Sequence, residues 1–89
     1  MIRIYIQDEA ETTSLVVEGK LAGLGVEELE RCWRMALMAE QPIEVNLADV
    51  IFVDDKGKEL LVAMHETGAK LVANGLMTQA IIEEIVKRA

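Results

Sequence analysis

The stretch Val45-Asn46-Leu47-Ala48-Asp49-Val50-Ile51-Phe52-Val53-Asp54-Asp55-Lys56-Gly57 decides the fold of this chain. A short apolar strand, Ile43 to Leu47, leads through a tight connection into a second apolar run that stops at two adjacent carboxylates. A helical pattern opens around Gly57, so Asp54 and Asp55 stand where a strand hands over to a helix. The first backbone N–H groups of a helix have no partner inside it, and this end of an open sheet is where ligands and contacts collect. A carboxylate there accepts hydrogen bonds from the first helical turn, and one of the pair is expected in that capping role. Gly57 is expected to give the start of the helix room against the sheet.

Upstream of this stretch, Ile2, Ile4 and Ile6 alternate with Arg3, Tyr5 and Gln7, the period of a half-buried strand. Polar residues Asp8 to Glu11 make a turn, and Thr12 to Val17 return as the second strand of an antiparallel hairpin. Gly19-Lys20-Leu21-Ala22-Gly23 reads as a connector. From Val26 to Glu40 the period turns helical. Val26, Leu29, Trp33, Ala36 and Leu37 share one face, with Glu27, Glu28, Glu30, Arg31 and Arg34 turned away from it. Pro42 ends that helix and opens the third strand.

Downstream, a second helix is expected over Lys56 to Thr67, with Leu60, Leu61 and Met64 inward and Gly68 closing it. Lys70 to Asn74 reads as a fourth strand, and Met77 to Arg88 as a third helix carrying Ile81, Ile82, Ile85 and Val86. The order ββαβαβα predicts an α/β layer structure. Its mixed four-stranded sheet begins with the hairpin and continues with parallel strands joined by right-handed crossovers, with three helices in all.

The 89 residues suit a single domain spanning 1–89. No run approaches the roughly 20 apolar residues of a membrane-crossing helix, and Met1 leads straight into strand pattern rather than a signal peptide. A cytoplasmic chain without membrane insertion is expected, and a lone cysteine, Cys32, fits a reducing compartment. A net charge of −7 repels nucleic-acid phosphates, and one Trp, one Tyr and one Phe offer no stacking platform, so nucleic acid is set aside as a partner.

Enzymatic chemistry finds no foothold. His65 is the sole histidine, and neither Ser14 nor Cys32 sits in a nucleophile motif. The glycines from Gly19 to Gly25 lack the order of a phosphate-binding loop. Asp54 and Asp55 have only Asp49 and Glu59 nearby as further acidic ligands, and Lys56 and Lys58 oppose a cation. Neither catalysis nor a cofactor nor a metal is expected.

In the order of its elements and of its central residues, the chain resembles the STAS domain (sulfate transporter and anti-sigma factor antagonist). That family carries an apolar strand, a loop, then Asp-Ser/Thr-x-Gly opening a helix. Asp54 stands at the Asp position, Gly57 at the Gly, and Asp55 where regulatory members carry a phosphorylated hydroxyl. Gly19-Lys20-Leu21 occupies the place of the family's Gly-x-Leu connector, and Gly68-Ala69-Lys70-Leu71-Val72 resembles its approach to the fourth strand. Asn46 replaces a usual acidic residue, Lys58 a common apolar one, and the pattern stops short of the family's final strand and helix.

The resemblance implies a non-enzymatic interaction module whose contact surface is the motif loop and the helix after it, here Asp54, Asp55, Lys56, Gly57 and Lys58. Antagonist members bind a kinase-type anti-sigma factor and release it when the motif hydroxyl gains phosphate, which adds up to about two negative charges. Asp55 already carries one, so constitutive binding is expected in place of a kinase-operated toggle. The family also implies a second kind of partner, the ATPase of a lipid-transport ABC system. A nucleotide or lipid bound between the first two helices is a third possibility. The fourth strand and the broad apolar arc of the third helix further suggest a homodimer through Leu71 to Val86.

Overall fold

A computed structural model describes residues 2–73 and 75–88. Its elements are β1 (Ile2–Asp8), β2 (Thr13–Leu21), α1 (Leu24–Leu37), β3 (Ile43–Val53), α2 (Asp55–Glu66), β4 (Lys70–Val72) and α3 (Leu76–Arg88). The strands lie in the order β1-β2-β3-β4. β1 and β2 pair antiparallel as a hairpin, while β2–β3 and β3–β4 are parallel. The mixed four-stranded sheet with three helices expected from the element order is therefore present.

One face of the sheet carries the core. Leu15 and Val17 of β2 and Val45 and Leu47 of β3 are inaccessible to solvent or nearly so, as their alternation requires. They pack in one cluster with Leu29 and Trp33 of α1, Leu61 and Met64 of α2, and Ile85 of α3. The intervening strand residues, including Glu18, Glu44 and Asn46, are only partly covered. The helices thus pack on one side of the sheet, and the opposite face mixes polar Glu18, Glu44 and Asn46 with Tyr5 and Val16.

α2 ends as Gly68 predicts. With φ at 99°, Gly68 donates to the His65 carbonyl at 3.0 Å, and Ala69 donates to the Met64 carbonyl at 3.0 Å. This is the paired 5→2 and 6→1 pattern of a Schellman closure.

Several boundaries differ from the sequence reading, among them the end of the fourth strand, at Val72 with Ala73 beyond it. Ile43 to Val53 is one strand, not a strand, a connection and a second run. Gly19-Lys20-Leu21 belongs to β2 and not to a connector. Both differences have one cause: the β2–β3 register slips between Val16 and Glu18 and again between Gly19 and Lys20, so β3 accommodates extra residues as bulges. Gly19 of β2, beside the second slip, stands at φ 97°, a conformation that glycine adopts without strain. The first helix stops at Leu37 rather than Glu40, because Glu40 turns to φ 55° and leads the chain to Pro42. Leu37 is in consequence 44% exposed, not part of the core. Of the fourth strand, Asn74 lies outside the described residues.

Candidate functional site

The end of β3 and the start of α2 are fixed by one side chain. Asp54 is extended, with φ −83° and ψ 179°, and stands immediately before the helix. Its Oδ1 accepts from the Gly57 N–H at 2.7 Å and its Oδ2 from the Gly23 N–H at 3.0 Å. Its own N–H donates to the Leu21 carbonyl at 3.1 Å, and its carbonyl accepts from the Lys58 N–H at 2.9 Å. The capping role expected of one aspartate thus falls to Asp54. The hydrogen bonds from Gly57 and then Gly23, with the Lys56 charge behind them, hold its carboxyl below the usual carboxylate range.

Gly57 rests directly on the β2–α1 connection. A Cβ at this position would lie 2.7 Å from the Leu21 carbonyl oxygen and 2.9 Å from Val53 Cγ1. Gly23 completes the corner at φ 55°, a conformation that side-chain-bearing residues rarely adopt. Asp54 and Gly57 therefore face inward and lock two chain crossings together.

The remaining three motif residues point elsewhere. Asp55 is the first residue of α2 and is exposed. Its charge sits beside the positive end of the helix dipole. Lys56 is exposed and borders a groove between α1 and α2. Lys58 turns toward α3, where its Nζ lies 3.7 Å from Glu84 Oε2. It is neither simply solvated nor on the same side as Lys56.

The sheet end that carries Asp55 also carries exposed apolar side chains that the sequence pattern does not single out. Leu24 opens α1 at 77% exposure, and Ile51 and Phe52 at the end of β3 are 60% and 50% exposed. All three belong to the sheet end that carries the motif, since Phe52 pairs with Lys20 and Leu21 with Val53. For Ile51 and Phe52 the only signal was the unbroken run Val50-Ile51-Phe52-Val53, in which a bulged strand must turn some members outward. Apolar side chains ringed by charges are the composition of a protein contact surface.

The α1–α2 groove has a volume of about 780 Å³. Val26, Trp33, Leu60 and Ala63 line it together with Glu27, Glu30, Arg34, Lys56 and Glu59. Glu30 and Arg34 close an ion pair at 2.8 Å on its rim. Among the described residues, no group of three or more His, Cys, Asp or Glu is placed to hold a metal ion, and no helix is long and apolar enough to cross a membrane.

No protein-family model matches the chain, and no curated protein does. Solved structures do match. The fold is shared with an anti-sigma factor antagonist from Mycobacterium paratuberculosis at a TM-score of 0.82 and 24% identity, over 93% of this chain and 76% of that one. A protein of the DUF3478 family with a SpoIIAA-like fold, from Shewanella loihica, superposes at 0.59 and 12% identity over 86% of this chain and 70% of its own. The crystal structure of Mglu gives 0.63 and 19% identity over 80% of this chain and 19% of its own. The STAS-like architecture expected from the sequence is the architecture observed.

Proposed function

We propose that this chain is a non-enzymatic interaction module of the anti-sigma factor antagonist type, working in a cytoplasmic partner-switching circuit, and that its partner meets it at the surface around Asp55. The observation that carries this reading is the division between two adjacent carboxylates. Asp54 is consumed in holding the corner, with both oxygens accepting backbone N–H groups. Asp55 is exposed, at a helix start on the same sheet end as exposed Leu24, Ile51 and Phe52. The fold likeness to an anti-sigma factor antagonist supports the type of module.

Asp55 takes the place of the hydroxyl that the resemblance would have phosphorylated. One carboxylate charge, unlike a phosphate, cannot be removed, so binding is constitutive and the partner's pocket accepts an anion. With a net charge of −7, the module also suits a partner presenting basic groups. The test is affinity capture from the native cell with the wild-type chain and with Leu24→Glu and Asp55→Ala. A kinase-type anti-sigma factor, held by the wild type and lost in both variants, is the expected result. A transport ATPase retained in the same way would replace the switching circuit with an accessory-subunit role. Equal capture by all three proteins would remove the surface around Asp55 from consideration.

The α1–α2 groove favours one further reading, a small amphipathic ligand whose apolar part meets Leu60 and Ala63. Thermal stabilisation by a nucleotide or lipid panel tests it, since a ligand at 100 times its Kd adds about 2.7 kcal/mol.

A further inference from the structure

The sheet has two edges, β1 and β4. Natural proteins shorten, bulge or charge their edge strands to prevent pairing with other chains. β4 follows that rule, with three residues beginning at Lys70. β1 does not. Its seven residues, Ile2-Arg3-Ile4-Tyr5-Ile6-Gln7-Asp8, pair with β2 in unbroken register, without bulge or proline. Tyr5 and Ile6, near its middle, stay 44% and 43% exposed.

We propose that β1 is a self-association edge, pairing antiparallel with β1 of a second copy of this chain about a two-fold axis at Tyr5. The register follows from the faces and the strand length together: faces allow only like-parity pairs, and a centre at Tyr5 is the one that pairs the whole strand, Ile2 to Asp8. Ile2, Ile4 and Ile6 stand opposite Gly19, Val17 and Leu15, on the helix-covered side, and Tyr5 stands opposite Val16 on the open side. A two-fold pairing that joins like faces places residues of the same parity opposite each other. Centred on Tyr5, it sets Ile4 against the partner copy's Ile6 twice, Arg3 against Gln7 twice, Ile2 against Asp8 twice, and Tyr5 against Tyr5.

Charge selects the same arrangement. Arg3 lies near one end of β1, while Asp8 and Glu9 lie at the other. Antiparallel pairing brings each arginine end to the other copy's acidic end; parallel pairing would set Arg3 against Arg3. Cover is complementary too. α1 reaches the Ile2 end of the strand, where a Cβ on Gly25 would lie 3.2 Å from Ile2 Cγ2, and leaves Ile6 open. The second copy sets its own Ile4, partly buried against the core, beside that uncovered Ile6. Aromatic and β-branched pairs directly opposite each other are the units that stabilise such ladders.

The experiment is sedimentation of the wild-type chain over a wide concentration range, joined to disulfide trapping. A concentration-dependent dimer is expected. Tyr5→Lys, which sets like charges face to face on the axis, should weaken it by about 10-fold or more while the circular dichroism spectrum is kept. Tyr5→Cys should form an intermolecular disulfide on mild oxidation, because directly opposed Cβ atoms lie roughly 4.5–5.5 Å apart, close to disulfide reach. Val72→Cys on β4 should not. A wild-type chain that stays monomeric throughout overturns the proposal. So does a dimer trapped through Val72→Cys instead, which would place the contact on the Leu71 to Val86 side, or a dimer trapped by neither thiol.

Discussion

Asp54 Oδ2 lies 3.0 Å from the backbone nitrogen of Gly23, a residue 31 positions earlier in the chain. The same carboxylate caps α2 through Gly57. One side chain therefore ties the β2–α1 connection to the start of α2, and it does so through backbone N–H groups that only proline at position 23 or 57 would remove. The surface around Asp55 inherits its position from this tie.

A graded stability series should follow from the two oxygens. Asp54→Ala removes both acceptors and should lower the urea midpoint most. Asp54→Asn keeps one carbonyl oxygen for the Gly57 N–H but turns an NH₂ group toward the Gly23 N–H, so it should fall between alanine and wild type. Equal midpoints for the two variants would mean that the Gly23 contact contributes nothing.

The depressed carboxyl of Asp54 also fixes a pH dependence. A folded pKa below the unfolded one means that the unfolded chain takes up the proton first, so stability drops as pH drops. The contribution is complete above the unfolded value of about 3.9 and is lost as pH falls through the lower folded value. Asn cannot titrate. The stability gap between wild type and Asp54→Asn should be flat from neutral pH to about pH 5 and shrink below it. Denaturation curves at stepped pH give the check, and a gap that widens in acid would contradict the sign.

Gly57→Ala should destabilise, although alanine is the better helix former by about 1 kcal/mol. The new methyl would meet the Leu21 carbonyl oxygen at 2.7 Å, and that atom already accepts from Asp54. Relief requires moving backbone, so a net cost of about 1–3 kcal/mol is expected, and more for Gly57→Leu. A gain in stability for alanine, read from the same denaturation series, would remove the steric argument.

Asp55→Ser should leave folding within about 0.5 kcal/mol of wild type, because Asp55 is exposed and the cap is held by its neighbour. Partner binding should respond instead. Asp55→Ala is expected to weaken it by loss of the anion, and calorimetric titration of the captured partner measures the change. A Ser variant that binds more tightly than wild type would indicate a pocket shaped for a neutral hydroxyl.

Much of this was legible in the sequence where a regular period survives. The alternation of Ile2, Ile4 and Ile6 gave β1 its inward face, and the spacing of Leu60, Leu61 and Met64 gave α2 its buried side. That one of Asp54 and Asp55 caps α2 could be read, because a cap is a local event within one turn, but which of the two could not. The tie to Gly23 could not, since nothing local relates positions 23 and 54. The continuity of β3 was hidden because its bulges break the period of two, so Ala48-Asp49 imitates a connection. Gly19 imitated a turn because its positive φ falls inside β2, opposite the irregular part of β3, and not in a loop. The Lys58–Glu84 contact depends on how α2 and α3 cross, which no pattern within either helix encodes.

The parallel ladder of β2 and β3 joins partners about 30 residues apart, from Thr13 with Ile43 to Leu21 with Val53. Such pairs close late, because the intervening chain must first be gathered in. The bulges add a hazard of their own, since a strand that absorbs extra residues has several near-equivalent ways to align. Asp54 stands one step beyond the last rung. A slip by a single residue would present Val53 or Asp55 to Gly23 and leave Gly57 off the Leu21 carbonyl, so the corner closes only on the correct alignment. It acts as a proofreader of register, completing the motif surface only in molecules whose sheet is already correctly threaded.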